Sequence, residues 1–86
     1  MASYEVFIKP SALKELESVD NRKLRRSIAD RIRALGDDPR PNGCVRLAAR
    51  NGYRIRCGVY RVIYSIEDER LIVSVVKIGH RKEVYR

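Results

Sequence analysis

The sequence predicts an α+β domain, with a helical hairpin packed on one face of a small, mainly antiparallel sheet in the order β-α-α-β-β-β. Three observations lead there. Leu24, Ile28, Ile32 and Leu35 recur at helical spacing in the first half of the chain. From Tyr53 onward the apolar period falls to 2, as in Tyr53-Arg54-Ile55-Arg56-Cys57. Between the two regimes lies Asp37-Asp38-Pro39-Arg40-Pro41-Asn42-Gly43, a segment with the composition of a connecting loop. The 86 residues allow one core, so a single domain is expected over 1–86. The 44% hydrophobic content excludes the profile of a disordered chain.

Tyr4-Glu5-Val6-Phe7-Ile8 reads as a short strand, rich in aromatic and β-branched residues. Pro10 is placed to open a helix. Leu13 and Leu16 then share one face, and the helix is expected to end near Ser18-Val19. Asp20 and Asn21 are N-caps for the second helix, and Gly36 is its expected stop. Cys44-Val45-Arg46-Leu47 is a weak strand, with a turn at Arg50-Asn51-Gly52. Gly58-Val59 makes a tight turn into the strand Tyr60–Ile66, and Glu67-Asp68-Glu69-Arg70 is a polar hairpin loop. Leu71 to Ile78 is a nearly continuous apolar strand, expected inside the sheet and ended by Gly79.

Charge is distributed unevenly. The net charge is +8, from 19 basic and 11 acidic residues. Residues 1–38 are nearly balanced, with 8 basic and 7 acidic. Residues 39–66 hold 6 arginines and no carboxylate. A charge run is usually a solvated face, but 28 residues without an acid exceed what solubility requires. The pattern points to a positive surface suited to nucleic acid or to an acidic protein. No apolar run approaches the roughly 20 residues of a membrane span, and Met1 to Glu5 lack the layout of a secretory signal. A cytoplasmic location without membrane contact is the expectation. Cys44 and Cys57 match no zinc pattern and read as small buried hydrophobes. Neither metal nor cofactor is expected.

Strand alternation places Arg54 and Arg56 on one face and sends Tyr53, Ile55 and Cys57 towards the core. Arg61 follows the turn and comes close to Arg56, with Arg81 at the edge of the same surface and Tyr85 on the tail beyond it. Four guanidinium groups with a phenol at their rim suit phosphoryl transfer on RNA. Attack by a ribose 2′-hydroxyl on its own phosphate needs a proton acceptor, stabilisation of the pentacoordinate species and protonation of the leaving 5′ oxygen. Forked guanidinium donors match the second task. They suit the first poorly, because arginine keeps its proton in water. Tyr85 or His80 could carry protons. The structural alternatives are a solubilising arginine face, a packing tyrosine and an ordinary surface histidine.

The runs Tyr53-Arg54-Ile55-Arg56, Gly58-Val59-Tyr60-Arg61-Val62-Ile63-Tyr64, Val76-Lys77-Ile78-Gly79-His80-Arg81 and Glu83-Val84-Tyr85 resemble the RelE family of toxin–antitoxin toxins, within the wider RelE/ParE superfamily. The resemblance implies a ribosome-dependent endoribonuclease that cuts messenger RNA in the A site by metal-independent 2′-hydroxyl attack. It implies a cognate antitoxin, acidic and partly disordered, with operator DNA met only through the antitoxin complex. By resemblance Arg61 and Arg81 match phosphate-stabilising arginines, and Tyr85 matches a tyrosine that stacks on the RNA base and assists proton movement. Arg54 and Arg56 stand where the best-known members have lysine. A crowded lysine can lose its proton and an arginine in practice cannot, so Tyr85 or His80 becomes the candidate base. Arg46, Arg50, Lys77, Lys82 and Arg86 are expected to extend the RNA contact. A toxin of the ParE kind would inhibit DNA gyrase instead; Arg54, Arg56, Arg81 and Tyr85 speak against it. A degenerate toxin would retain only antitoxin binding and autoregulation. The exposed sides of Leu13, Leu16 and the second helix are candidate antitoxin contacts.

Overall fold

The structure is a computed structural model that describes residues 3–48 and 52–80. Strand β1 spans Glu5–Ile8, helix α1 Pro10–Glu17, helix α2 Arg22–Ala34, and strands β2 to β5 span Val45–Arg46, Gly52–Cys57, Tyr60–Glu67 and Ile72–His80. The fold is α+β, with two helices on a five-stranded mixed sheet. Pro10 opens α1, where its fixed φ fits and its missing N–H is no loss. Ala12 and Leu16, four apart, form the buried stripe of α1. Leu13 instead points outward at 42% exposure, contrary to the expected Leu13–Leu16 pairing. Asn21, rather than Asp20, caps α2: its side-chain oxygen accepts the Leu24 N–H at 2.9 Å. Ile28 and Ile32 seat α2 in the core, while Arg25 reaches back to donate to the Val19 carbonyl at 2.8 Å.

The sheet order is β1-β5-β4-β3-β2. Strands β2 to β5 pair antiparallel, whereas β1 runs parallel to β5 from Glu5↔Ile72 to Ile8↔Val75. β5 is therefore an inner strand, as its apolar run suggests. It does not stop at Gly79, which pairs with Arg61 inside the ladder. β4 supplies a neighbour along the whole length, so one glycine cannot end β5. β2 keeps only two residues, and the turn expected at Arg50–Asn51 lies outside the described residues. Ile55, Cys57, Val62, Tyr64, Ile66, Val73, Val75 and Ile78 make the inner face, which closes on the helices around Ile28, Ile32 and Leu35. Burying such aliphatic side chains gains roughly 1.5–3 kcal/mol each. Cys57 is buried, Cys44 is half-buried, and both are free thiols. Burial pushes the Cys57 thiol pKa up, with nearby Arg31 opposing.

A polar knot closes the end of the sheet away from the Gly58-Val59 turn. Arg40 grips Asp68 with two parallel bonds, Nη1–Oδ1 at 3.1 Å and Nη2–Oδ2 at 2.8 Å. The Tyr4 hydroxyl donates to the same carboxylate at 2.7 Å. Arg40 also lies over the Tyr53 ring, 5.1 Å from its centroid, and donates to its hydroxyl at 3.2 Å. Tyr53 stacks on Tyr64, whose hydroxyl donates to the Pro39 carbonyl at 2.7 Å. Hydrogen bonds from Arg40 and then Tyr4 hold the Asp68 carboxyl down to about 2. Burial, with Cys44 adding to it, pushes the Tyr64 phenol well up.

Candidate nucleic-acid interface

The outer face of the sheet gathers the arginines at the opposite end. Gly58 takes a left-handed φ of +62°, which lets two residues reverse the chain between β3 and β4. The reversal sets Arg56 directly across from Arg61 and Arg54 across from Ile63. Directly opposed residues of an antiparallel pair share a face. Arg54, Arg56 and Arg61 therefore face one way, while Ile55, Cys57 and Val62 face the core. The next strand places Gly79 beside Arg61, so no side chain from that position crowds it. Arg56 is exposed, Arg54 is half-buried, and Arg61 is buried at 6% exposure. Neither β3 nor β4 bears a carboxylate before Glu67, at the far end of the sheet.

Opposed like charges are a liability in a ladder, by roughly 0.2–1 kcal/mol. An anion seated between the two guanidiniums turns this liability into attraction. Their forked donors match the oxygens of a phosphodiester. Arg61 is fixed by burial, and Arg56 can approach from solvent. The pair combines a rigid clamp with a mobile one.

Other expected site residues are placed elsewhere. His80 pairs with Tyr60, which pairs with Cys57, so His80 faces the helix side and not the arginine side. It lies edge-on to the Tyr60 ring at 5.9 Å. Period 2 alone predicts this, because His80 lies two residues beyond inward-facing Ile78; the Gly79 stop assumed for the strand concealed it. Arg46 is exposed but pairs with Tyr53, which directs it to the inner side at the sheet edge, away from Arg54. Lys77 is held by Glu15, Nζ to Oε2 at 3.0 Å, so much of its charge is already answered. Arg50, Arg81, Lys82, Tyr85 and Arg86 lie outside the described residues. Among the described residues, no group of three or more His, Cys, Asp or Glu is arranged to hold a metal ion, and no helix is long and apolar enough to cross a membrane.

The family described as "ParE toxin of type II toxin-antitoxin system, parDE" matches residues 6–85. A RelE-like toxin protein of Escherichia coli is 28% identical over 81 residues, covering 92% of this chain and 84% of that protein. Among solved structures, the archaeal RelE–RelB complex from Pyrococcus horikoshii contains a chain that superposes with a TM-score of 0.83 at 26% identity, covering 94% of this chain and 98% of that one. A double mutant of E. coli toxin RelE in the free state superposes with a TM-score of 0.76 at 27% identity, covering 99% and 92%. Sequence, fold and strand order converge, and the chain belongs to the RelE/ParE superfamily of toxins of type II toxin–antitoxin systems.

Proposed function

We propose that this toxin is a messenger RNA endonuclease that acts on the ribosome, in the cytoplasm, and is silenced by a cognate antitoxin. The observation that carries this reading is the Arg56–Arg61 pair, opposed across a two-residue turn between strands that bear no carboxylate of their own before Glu67. In the reaction, a ribose 2′-oxygen forms a bond to the adjacent phosphorus while the bond to the 5′ oxygen breaks. The products are a 2′,3′-cyclic phosphate and a 5′-hydroxyl, so the proton lost at the 2′ position is matched by one gained at the 5′ oxygen. Arg61 and Arg56 stabilise the extra negative charge on the non-bridging oxygens, where fixed donors contribute most. Arg54 and, by resemblance, Arg81 widen the clamp. His80 faces the other side of the sheet, and the resemblance gives the proton-carrying role to Tyr85. RelE–RelB complexes among the structural neighbours support an antitoxin partner. An acidic partner is complementary to a chain of net charge +8.

Induction in growing bacteria, followed by mapping of messenger 5′ ends, tests the proposal. Cuts inside translated codons that keep step with the reading frame are expected. The match to the ParE family favours one other reading, a gyrase inhibitor on the same fold. DNA damage with intact messages would establish it and overturn the nuclease.

A further inference from the structure

We infer that Glu15, on α1, is a positioning residue for the arginine site, acting through the end of β5. β1 covers β5 only as far as Val75. Beyond that point one edge of β5 has no strand neighbour among the described residues, although its other edge stays paired with β4 to His80. An uncovered strand edge is held less firmly and admits register slips. Glu15 occupies the vacated edge. Its Oε1 accepts the Ile78 backbone N–H at 2.9 Å, as a strand carbonyl would, and its Oε2 binds Lys77 Nζ at 3.0 Å. The carboxylate is about one-third exposed, so these bonds are only partly screened.

The consequence reaches the site through one residue. Ile78 precedes Gly79, and Gly79 is the register partner of Arg61. If β5 frays or slips at Ile78, the position beside Arg61 no longer falls on glycine. Lys77 alone cannot explain the geometry, since an ion pair needs no bond to the neighbouring backbone amide. Glu15 thus ties the helical hairpin to the third strand of the arginine ladder.

This inference rests on the nuclease reading only for its activity arm. The test compares the full-length wild type with E15A, E15D and E15Q. It measures amide hydrogen exchange at Ile78, melting temperature, affinity for a short RNA oligonucleotide and messenger cleavage on ribosomes. Glutamine retains the carbonyl acceptor for the Ile78 N–H and loses the charge facing Lys77, whereas aspartate retains the charge and loses the reach. E15A and E15D are expected to speed Ile78 exchange at least about tenfold, the scale of one lost charge-assisted bond, and to weaken RNA binding and cleavage together. E15Q is expected to restore protection and most of the activity. Unchanged exchange in E15A and E15D, or failure of E15Q to rescue, would overturn the inference. Should the wild type bind RNA without cutting it, the nuclease reading fails, while exchange and affinity still decide the role of Glu15. Should E15A not fold, the contrast between E15D and E15Q decides that role in its place.

Discussion

Arg56 and Arg61 hold like charges at directly opposed positions of the ladder, which separates their contribution to binding from their contribution to folding. Arg56→Ala is expected to lower messenger cleavage by about 100-fold, the scale of one lost transition-state donor. Because Arg56 is exposed, its loss should change stability by no more than about 0.5 kcal/mol. A fall in melting temperature together with intact cleavage would contradict the assignment. For Arg61, which is buried, Arg61→Lys is the cleaner probe: charge is kept and the fork is lost. Tyr64 is the reverse case, a purely structural polar group. Tyr64→Phe leaves the Pro39 carbonyl without its donor at a buried position and is expected to cost about 1–3 kcal/mol in urea unfolding with activity per folded molecule unchanged. The shared face of Arg54 and Arg56 was legible from alternation, and the approach of Arg61 to Arg56 from the Gly58-Val59 turn. Arg40 was not, because the knot joins it to Asp68 across 28 residues and joins Asp68 to Tyr4 across 64. No local pattern encodes such a contact.

The elements follow from short-range chemistry where that chemistry is strong. The Asn21 cap is legible because its bond spans three residues, and Asn21→Ala is expected to cost about 1 kcal/mol. Gly36 is more instructive. It stands where a helix stop is expected, but a Cβ there would meet the Tyr4 carbonyl oxygen at 3.0 Å. Its smallness serves the approach of β1, whose neighbouring Tyr4 N–H donates to the Gly36 carbonyl at 2.8 Å. Gly36→Ala is therefore expected to destabilise by roughly 1–3 kcal/mol and to loosen β1 rather than extend α2, which amide exchange at Tyr4 would show. The direction of β1 was illegible for a related reason. Four residues of strand composition carry no mark of whether the neighbour runs parallel or antiparallel.

Across the whole molecule, the Arg40–Asp68 knot and the arginine face occupy opposite ends of the sheet, and solution conditions affect them differently. Asp68 titrates at about 2 in the folded chain, against about 3.9 in an unfolded one. Between those values the unfolded state binds more protons, so the stabilisation is complete above about pH 4 and fades as the pH falls towards 2. Asp68→Asn is expected to flatten that part of the stability profile; an unchanged acid slope would exclude the knot as its source. RNA affinity should respond to salt instead. Three phosphate contacts from Arg54, Arg56 and Arg61 give a log–log slope of about −2 on single strands. Each arginine replaced should remove roughly 0.7 from it.

The parallel pairing of β1 with β5 also sets a clock. Glu5 and Ile72 are register partners 67 residues apart, from 72 less 5. At roughly 5–20 residues per second of synthesis, the first strand waits about 3 to 13 seconds for its neighbour to be made. The hairpin holding Arg56 and Arg61 needs only adjacent sequence and can close early. Its third strand, with Gly79 and the Ile78 amide that Glu15 holds, is translated after both strands of that hairpin. A newborn copy therefore completes the ladder beside Arg61 only after β5 has been made, later than the hairpin itself.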